Sequence, residues 1–210
     1  MSEYRFTVLD VVAEPYAVAP QLTARLRVEE TTGQRVHAIA LRCQVRIEPQ
    51  RRTYDGAEQD GLSGLFGTRD RWTDTLRPFL WMQCNTTVQG FTGCAETDLA
   101  LPCTYDLDVI GTRYLHALGA GDVPLNLLFS GTVFTRGHTG FGVEQIPWNC
   151  EARYRMPVTV WRAMIESYFP NTGWLRMDAG VLARLAAYRA RHGLTSWEET
   201  VEKLLGEAAS

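Results

Sequence analysis

His37-Ala38-Ile39-Ala40-Leu41-Arg42-Cys43-Gln44-Val45-Arg46-Ile47-Glu48 alternates along its whole length. His37, Ile39, Leu41, Cys43, Val45 and Ile47 share one side, and Ala38, Ala40, Arg42, Gln44, Arg46 and Glu48 the other. A strand turns successive side chains to opposite faces, so this period of two marks a strand with one face in a core and one in water. The same alternation runs through Leu22, Ala24, Leu26 and Val28, opposed to Thr23, Arg25, Arg27 and Glu29. Thr31-Thr32-Gly33-Gln34 between the two runs has turn composition. The spacing predicts an antiparallel hairpin with Leu26 opposite Ile39, Ala24 opposite Leu41, and Cys43 inside.

Outward from this pair, Arg5 to Val12 reads as a further strand. Pro15 and Pro20 place it at an edge or before an irregular connection. Pro49 to Arg77 loses all periodicity and reads as a long surface excursion with a short helix near Leu62 to Phe66. Strand composition returns at Phe79–Phe91, Thr97–Val109, Val123–Thr135 and Glu151–Met156, with a helical turn over Thr112–Leu118 and a hairpin loop at Arg136–Gly140. After Pro157 the period becomes helical. Val158, Trp161, Met164, Ile165, Tyr168 and Phe169 mark one helix, closed by Pro170 and Gly173. A second starts at the N-cap Asp178 and stops at Gly193, and a third opens at Thr195 or Ser196 with Glu198 and Glu199 at capping-box positions. The expected fold is α+β and mainly β. It is an antiparallel sandwich or strongly bent sheet of seven to eight strands over residues 1–156, followed by two to three helices over 157–210 packed on the sheet as one structural unit.

Length and charge narrow the function classes. The 210 residues, 45% hydrophobic, allow one substantial core, and a net charge of -3 gives no pull toward nucleic acid. Met1 to Glu14 holds no basic segment followed by an apolar one, and the uncharged run Pro78–Ala95 is too polar for a membrane span. A cytoplasmic protein is expected. Cys43, Cys84, Cys94, Cys103 and Cys150 are odd in number and contain no Cys-x-x-Cys pair, so mostly reduced thiols are expected.

No catalytic, cofactor-binding or metal-ligating set emerges. Cys84, Cys94, Cys103 and His116 lack the short spacings of zinc ligands, and parity leaves Cys84 free to face in or out. His37, His116, His138 and His192 sit in no local signature. Asp106 and Asp108 share a strand face where solvated carboxylates are the default reading. Gly137–Gly142 leads into a strand instead of a helix, which excludes a phosphate loop. Arg25, Arg27, Arg42 and Arg46 fall together on the outer face of the expected hairpin, and Trp72 beside Arg71 is the tryptophan expected to be exposed. Arginine forks bind carboxylates, so this surface reads either as a docking site for an acidic partner or as a salt-bridged sheet exterior.

Val36–Pro49, Leu76–Trp81, Leu127–Phe134 and Tyr168–Leu175 resemble an uncharacterised bacterial family, a domain of unknown function spanning nearly the whole chain. Its genes resemble passengers of actinobacterial-type nickel-iron hydrogenase clusters, which implies an accessory role without a reaction. Leu127 to Tyr188 is similar, in strand, loop and helix spacing, to the end of the export chaperone SecB, which implies a surface that binds unfolded segments. The expected function is a non-enzymatic accessory or assembly protein that binds a protein segment, such as an oxidoreductase subunit. The alternatives are a cysteine or redox-metal enzyme using Cys84 or Cys103 with His116 or His138, and a self-assembling subunit.

Overall fold

A computed structural model of the chain describes residues 3–104, 109–137, 140–171 and 177–209. The expected α+β, mainly β fold is observed. Eight strands run as β1 (Tyr4–Ala13), β2 (Gln21–Glu30), β3 (Arg35–Ile47), β4 (Phe79–Thr92), β5 (Cys94–Pro102), β6 (Asp122–Gly137), β7 (Gly140–Gln145) and β8 (Glu151–Pro157). The helices are α1 (Gly56–Phe66), α2 (Trp72–Thr75), α3 (Ile110–Ala117), α4 (Val158–Tyr168), α5 (Ala179–Arg191) and α6 (Trp197–Ala208). The chain divides into two compact units, Met1–Gly173 and Trp174–Ser210, so α4 belongs with the strands while α5 and α6 form the second unit.

The expected β2–β3 hairpin does not form. β2 lies between β1 and β5 in a three-stranded antiparallel sheet. β3 lies between β4 and β6 in a five-stranded one, where β7 and β8 both pair with the long β6. Leu26 therefore faces Val8 and Thr97, and Ile39 faces Val88 and Val133. Alternation reports which face a residue takes, and it is silent on whether the next turn returns the chain to the same sheet or carries it across to another. The Thr31–Gln34 turn carries it across. Among the described residues β1 pairs only with β2 and is an edge, as Pro15 and Pro20 imply.

The inner faces meet in one core. Leu22, Ala24, Leu26 and Val28 of β2 oppose Ile39, Leu41, Cys43, Val45 and Ile47 of β3, all buried. Phe6 of β1 stacks on Phe129 of β6 with ring centroids 4.3 Å apart. Each such aliphatic or aromatic side chain contributes about 1.5–3 kcal/mol when withdrawn from water. The register slips between Val36 and Ala38 at the β3–β6 pairing. The irregularity puts Val36 in the core and His37 outside, where the alternation alone placed His37 inward.

Within residues 49–77 the helix expected near Leu62 to Phe66 is present as the end of α1, which packs on the core. Asp55 caps α1 by accepting from Glu58 N at 2.8 Å while Glu58 reaches back to Asp55 N, a reciprocal capping box legible as Asp-x-x-Glu. The helix buries Leu62 and Phe66. Tyr114 of α3 is fully buried at the centre of a ring cluster with Tyr54, Phe66 and Phe79. Its hydroxyl is 2.8 Å from that of Tyr54, which also donates to Pro49 O at 2.6 Å. Burial pushes the Tyr54 phenol up to about 12, so the pair stays neutral at ordinary pH.

Within the second unit, Asp178 caps α5 and a Ser196–Glu199 capping box opens α6, as the spacing predicts. Ser196 accepts from Glu199 N at 3.0 Å. Ser196→Ala is expected to destabilise α6 by about 1 kcal/mol. Amide hydrogen exchange should speed up in the first turn of α6 and leave the strands unchanged.

Candidate functional site

The two sheets treat their outward arginines differently. On the three-stranded sheet, β5 brings Asp98 opposite Arg25 and Glu96 opposite Arg27. The resulting contacts are 3.7 Å and 2.8 Å, and Arg5 lies 3.6 Å from Glu29. This exterior is charge-neutralised. On the five-stranded sheet, Arg42 faces Asn85 and Ser130, and Arg46 faces Leu80 and Asn126. The outward positions of β3, β4, β6 and β7 around them include Gln44, Gln83, Thr87, Gln89, Thr132 and Gln145, while the carboxylates toward the β8 end, Glu48, Glu151 and Asp122, are engaged by Arg51, Arg153 and Arg155. Among the described residues, Arg42, Arg46 and Arg136 take part in no ion pair. Arg153 at the rim is different, since it lies 3.3 Å from Glu151 and 3.9 Å from Glu48.

The four arginines expected on one face are thus split two and two between opposite faces, because β2 and β3 belong to different sheets. Only Arg42 and Arg46 keep uncompensated charge. Trp72 is likewise half-buried and not exposed. Its indole donates to Gly67 O at 3.0 Å and its ring meets Tyr54 edge-on at 5.3 Å. It walls a hollow of about 310 Å³ with Gln50, Thr73, Leu76, Arg77 and Pro78.

Exposed apolar side chains lie at the β7 side of the same sheet. Phe141 and Val143 of β7 are 64% and 63% exposed, and Trp148 in the β7–β8 turn is 92% exposed. Phe141 meets His37 edge-on at 5.2 Å. Among the described residues β7 pairs only with β6, so its other edge presents unpaired backbone donors and acceptors. Sequence reading did not single out β7 as an open edge. Its signal is Phe141 and Val143 alternating with Gly142 and Glu144.

Of the cysteines and histidines considered for chemistry, Cys84 and Cys103 are buried and His116 is exposed. Cys84, undecided by parity, points inward, and burial pushes its thiol up to about 11 and those of Cys43 and Cys103 to about 12. Cys94 is exposed. His116 packs edge-on against Trp161 at 4.8 Å and is lowered first by desolvation and then by Arg162, which favours the neutral imidazole. These residues line a second hollow of about 430 Å³ with Glu166 and Phe169. Among the described residues no group of three or more His, Cys, Asp or Glu is placed to hold a metal ion. No helix among them is long and apolar enough to cross a membrane. Asp106, Asp108, His138 and Trp174 lie outside the described residues.

Residues 1–210 match the model of a family of unknown function, DUF6084. The chain belongs to the DUF6084 family. No curated protein matches this DUF6084 chain. Among solved structures, a β-glucosidase from Kluyveromyces marxianus shares 10% identity over 74% of this chain, with a TM-score of 0.25. The chain spans only 15% of that enzyme's length, and the likeness carries no argument about fold or activity.

Proposed function

We propose that this DUF6084 chain is a non-enzymatic accessory protein that holds an acidic, extended segment of a partner protein on the outer face of its five-stranded sheet. The observation that carries the reading is that Arg42 and Arg46 have no ion-pair partner among the described residues, on the same sheet whose β7 edge, across β6 from β3, is open and apolar. A segment laid along β7 would gain backbone hydrogen bonds from the edge and place apolar side chains against Phe141 and Val143. Continuing past the end of β7 and over β6, the segment would bring its carboxylates to the two guanidinium groups on β3. The resemblance to families found with nickel-iron hydrogenase genes supports an oxidoreductase subunit as the partner, and the spacing shared with SecB supports a segment-binding surface.

The test is binding of subunits encoded beside the chain's gene, measured by titration calorimetry. Charge reversal at Arg42→Glu with Arg46→Glu should weaken binding at least about tenfold, since close interfacial charge pairs couple by about 1.5–7 kcal/mol. The same reversal at Arg25 and Arg27 should change it little, and added salt should narrow the difference. Unchanged affinity in the Arg42/Arg46 variant would remove this face from the proposal. A solution mass at a multiple of the monomer, lost on Val143→Lys, would assign the β7 edge to self-association instead.

A further inference from the structure

We infer that Cys43 and Cys84 form a reversible cross-strand disulfide, so that the β3–β4 pair is an oxidisable site. The two residues are direct partners in the antiparallel register, and both side chains enter the core between the sheets. Opposed residues in such a pair have Cα atoms about 4.5 or 5.5 Å apart, depending on which kind of pair they occupy. Either distance lies within the range of about 4.4–6.8 Å that a disulfide spans. The register therefore sets the two free cysteines on one face at a Cα separation that a disulfide can span. The sequence hides this pairing because 31 residues, 48–78, with a capped helix and turns among them, separate the partner strands.

The chemistry balances with a small disulfide such as oxidised glutathione as the oxidant. Cys84 is 9% exposed and Cys43 1%, so the Cys84 thiolate attacks first and releases one small thiol. The Cys43 thiolate then displaces the second small thiol from the mixed disulfide and closes the Cys43–Cys84 bond. Two protein thiols are oxidised, one small disulfide is reduced to two thiols, and the protein's thiol protons pass to the released thiolates. Burial holds both thiols well above neutral, so exchange is slow at pH 7 and quickens as pH rises. Cys103 is the competing partner. It is buried within electrostatic reach of Cys84, and its Sγ lies 3.4 Å from Leu101 O.

The experiment uses the full chain with Cys94→Ser, which removes the exposed thiol. Folded protein is incubated with oxidised glutathione, alkylated, and mapped by peptide mass. One Cys43–Cys84 link should appear, with loss of two hydrogens from the intact mass and full reversal by dithiothreitol. It should persist in Cys103→Ala and vanish in Cys84→Ser. Because the link closes a loop containing α1 and α2, the oxidised form should melt about 5–10 °C higher. Two results would overturn the inference. One is full alkylation of Cys43 and Cys84 after a treatment that oxidises the same chain in urea. The other is a Cys84–Cys103 link in their place.

Discussion

Glu58→Ala should lower the unfolding free energy by about 3–5 kcal/mol, because it leaves a buried guanidinium without its counter-charge. Arg52 and Glu58 have side chains only 8% and 5% exposed. Arg52 Nη2 reaches both carboxylate oxygens, at 2.7 and 2.9 Å, and also donates to Ala120 O at 3.1 Å. Its Nη1 donates to Asp122 O at 3.1 Å. Glu58 in turn accepts from Gly119 N at 2.8 Å. One ion pair thus ties the start of α1 to the α3–β6 connection. The expected drop in melting midpoint is about 10 °C, read by calorimetry. Arg52→Met with Glu58→Leu should cost much less, since it removes both charges together. A loss below about 1 kcal/mol for Glu58→Ala would show that the pair is solvated in solution.

Gly131→Ala should cost about 3 kcal/mol or more. Gly131 lies on β6 opposite Leu41 with φ +144, a conformation that side chains rarely adopt. A Cβ there would sit 2.2 Å from Ala40 O and 3.2 Å from Leu41 Cα, so the obstacle is the backbone of β3 and no rotamer relieves it. Gly131 O also accepts from Ile146 N at 3.0 Å, so a shift in β6 would loosen the end of β7. Gly206→Ala is the matched control. Its Cβ would meet nothing within 4 Å, and in a helix alanine is preferred by about 1 kcal/mol. Urea unfolding of both variants should therefore move the midpoint in opposite directions.

The faces of β2 and β3 were legible because burial repeats every two residues and leaves its period in the chain. Their neighbours were not, because a four-residue turn can close a hairpin or cross between sheets with the same composition. The candidate site depended on that second kind of information. Outward placement of Arg25 and Arg42 follows from alternation alone. Whether each is neutralised depends on the strand beside it: β5 supplies Asp98 to Arg25, whereas β4 and β6 supply Asn85 and Ser130 to Arg42. Trp72 is covered by Tyr54, a partner that only the folded 49–77 segment brings near. The Asp55–Glu58 box could have been read directly, since its spacing is local.

Strand β3 carries a long alternation of buried and exposed residues, and both its partners, β4 and β6, are made after it. At synthesis rates of about 5–20 residues per second, Ile47 is made roughly 5–20 s before the end of β6. Both edges of β3 lack a native partner until β4 is made, about half of that interval, and the edge that β6 covers stays open to its end. A strand that ends up covered on both sides in the finished sheet therefore offers an open edge while the polypeptide is being born, and such an edge is a template for pairing with another chain.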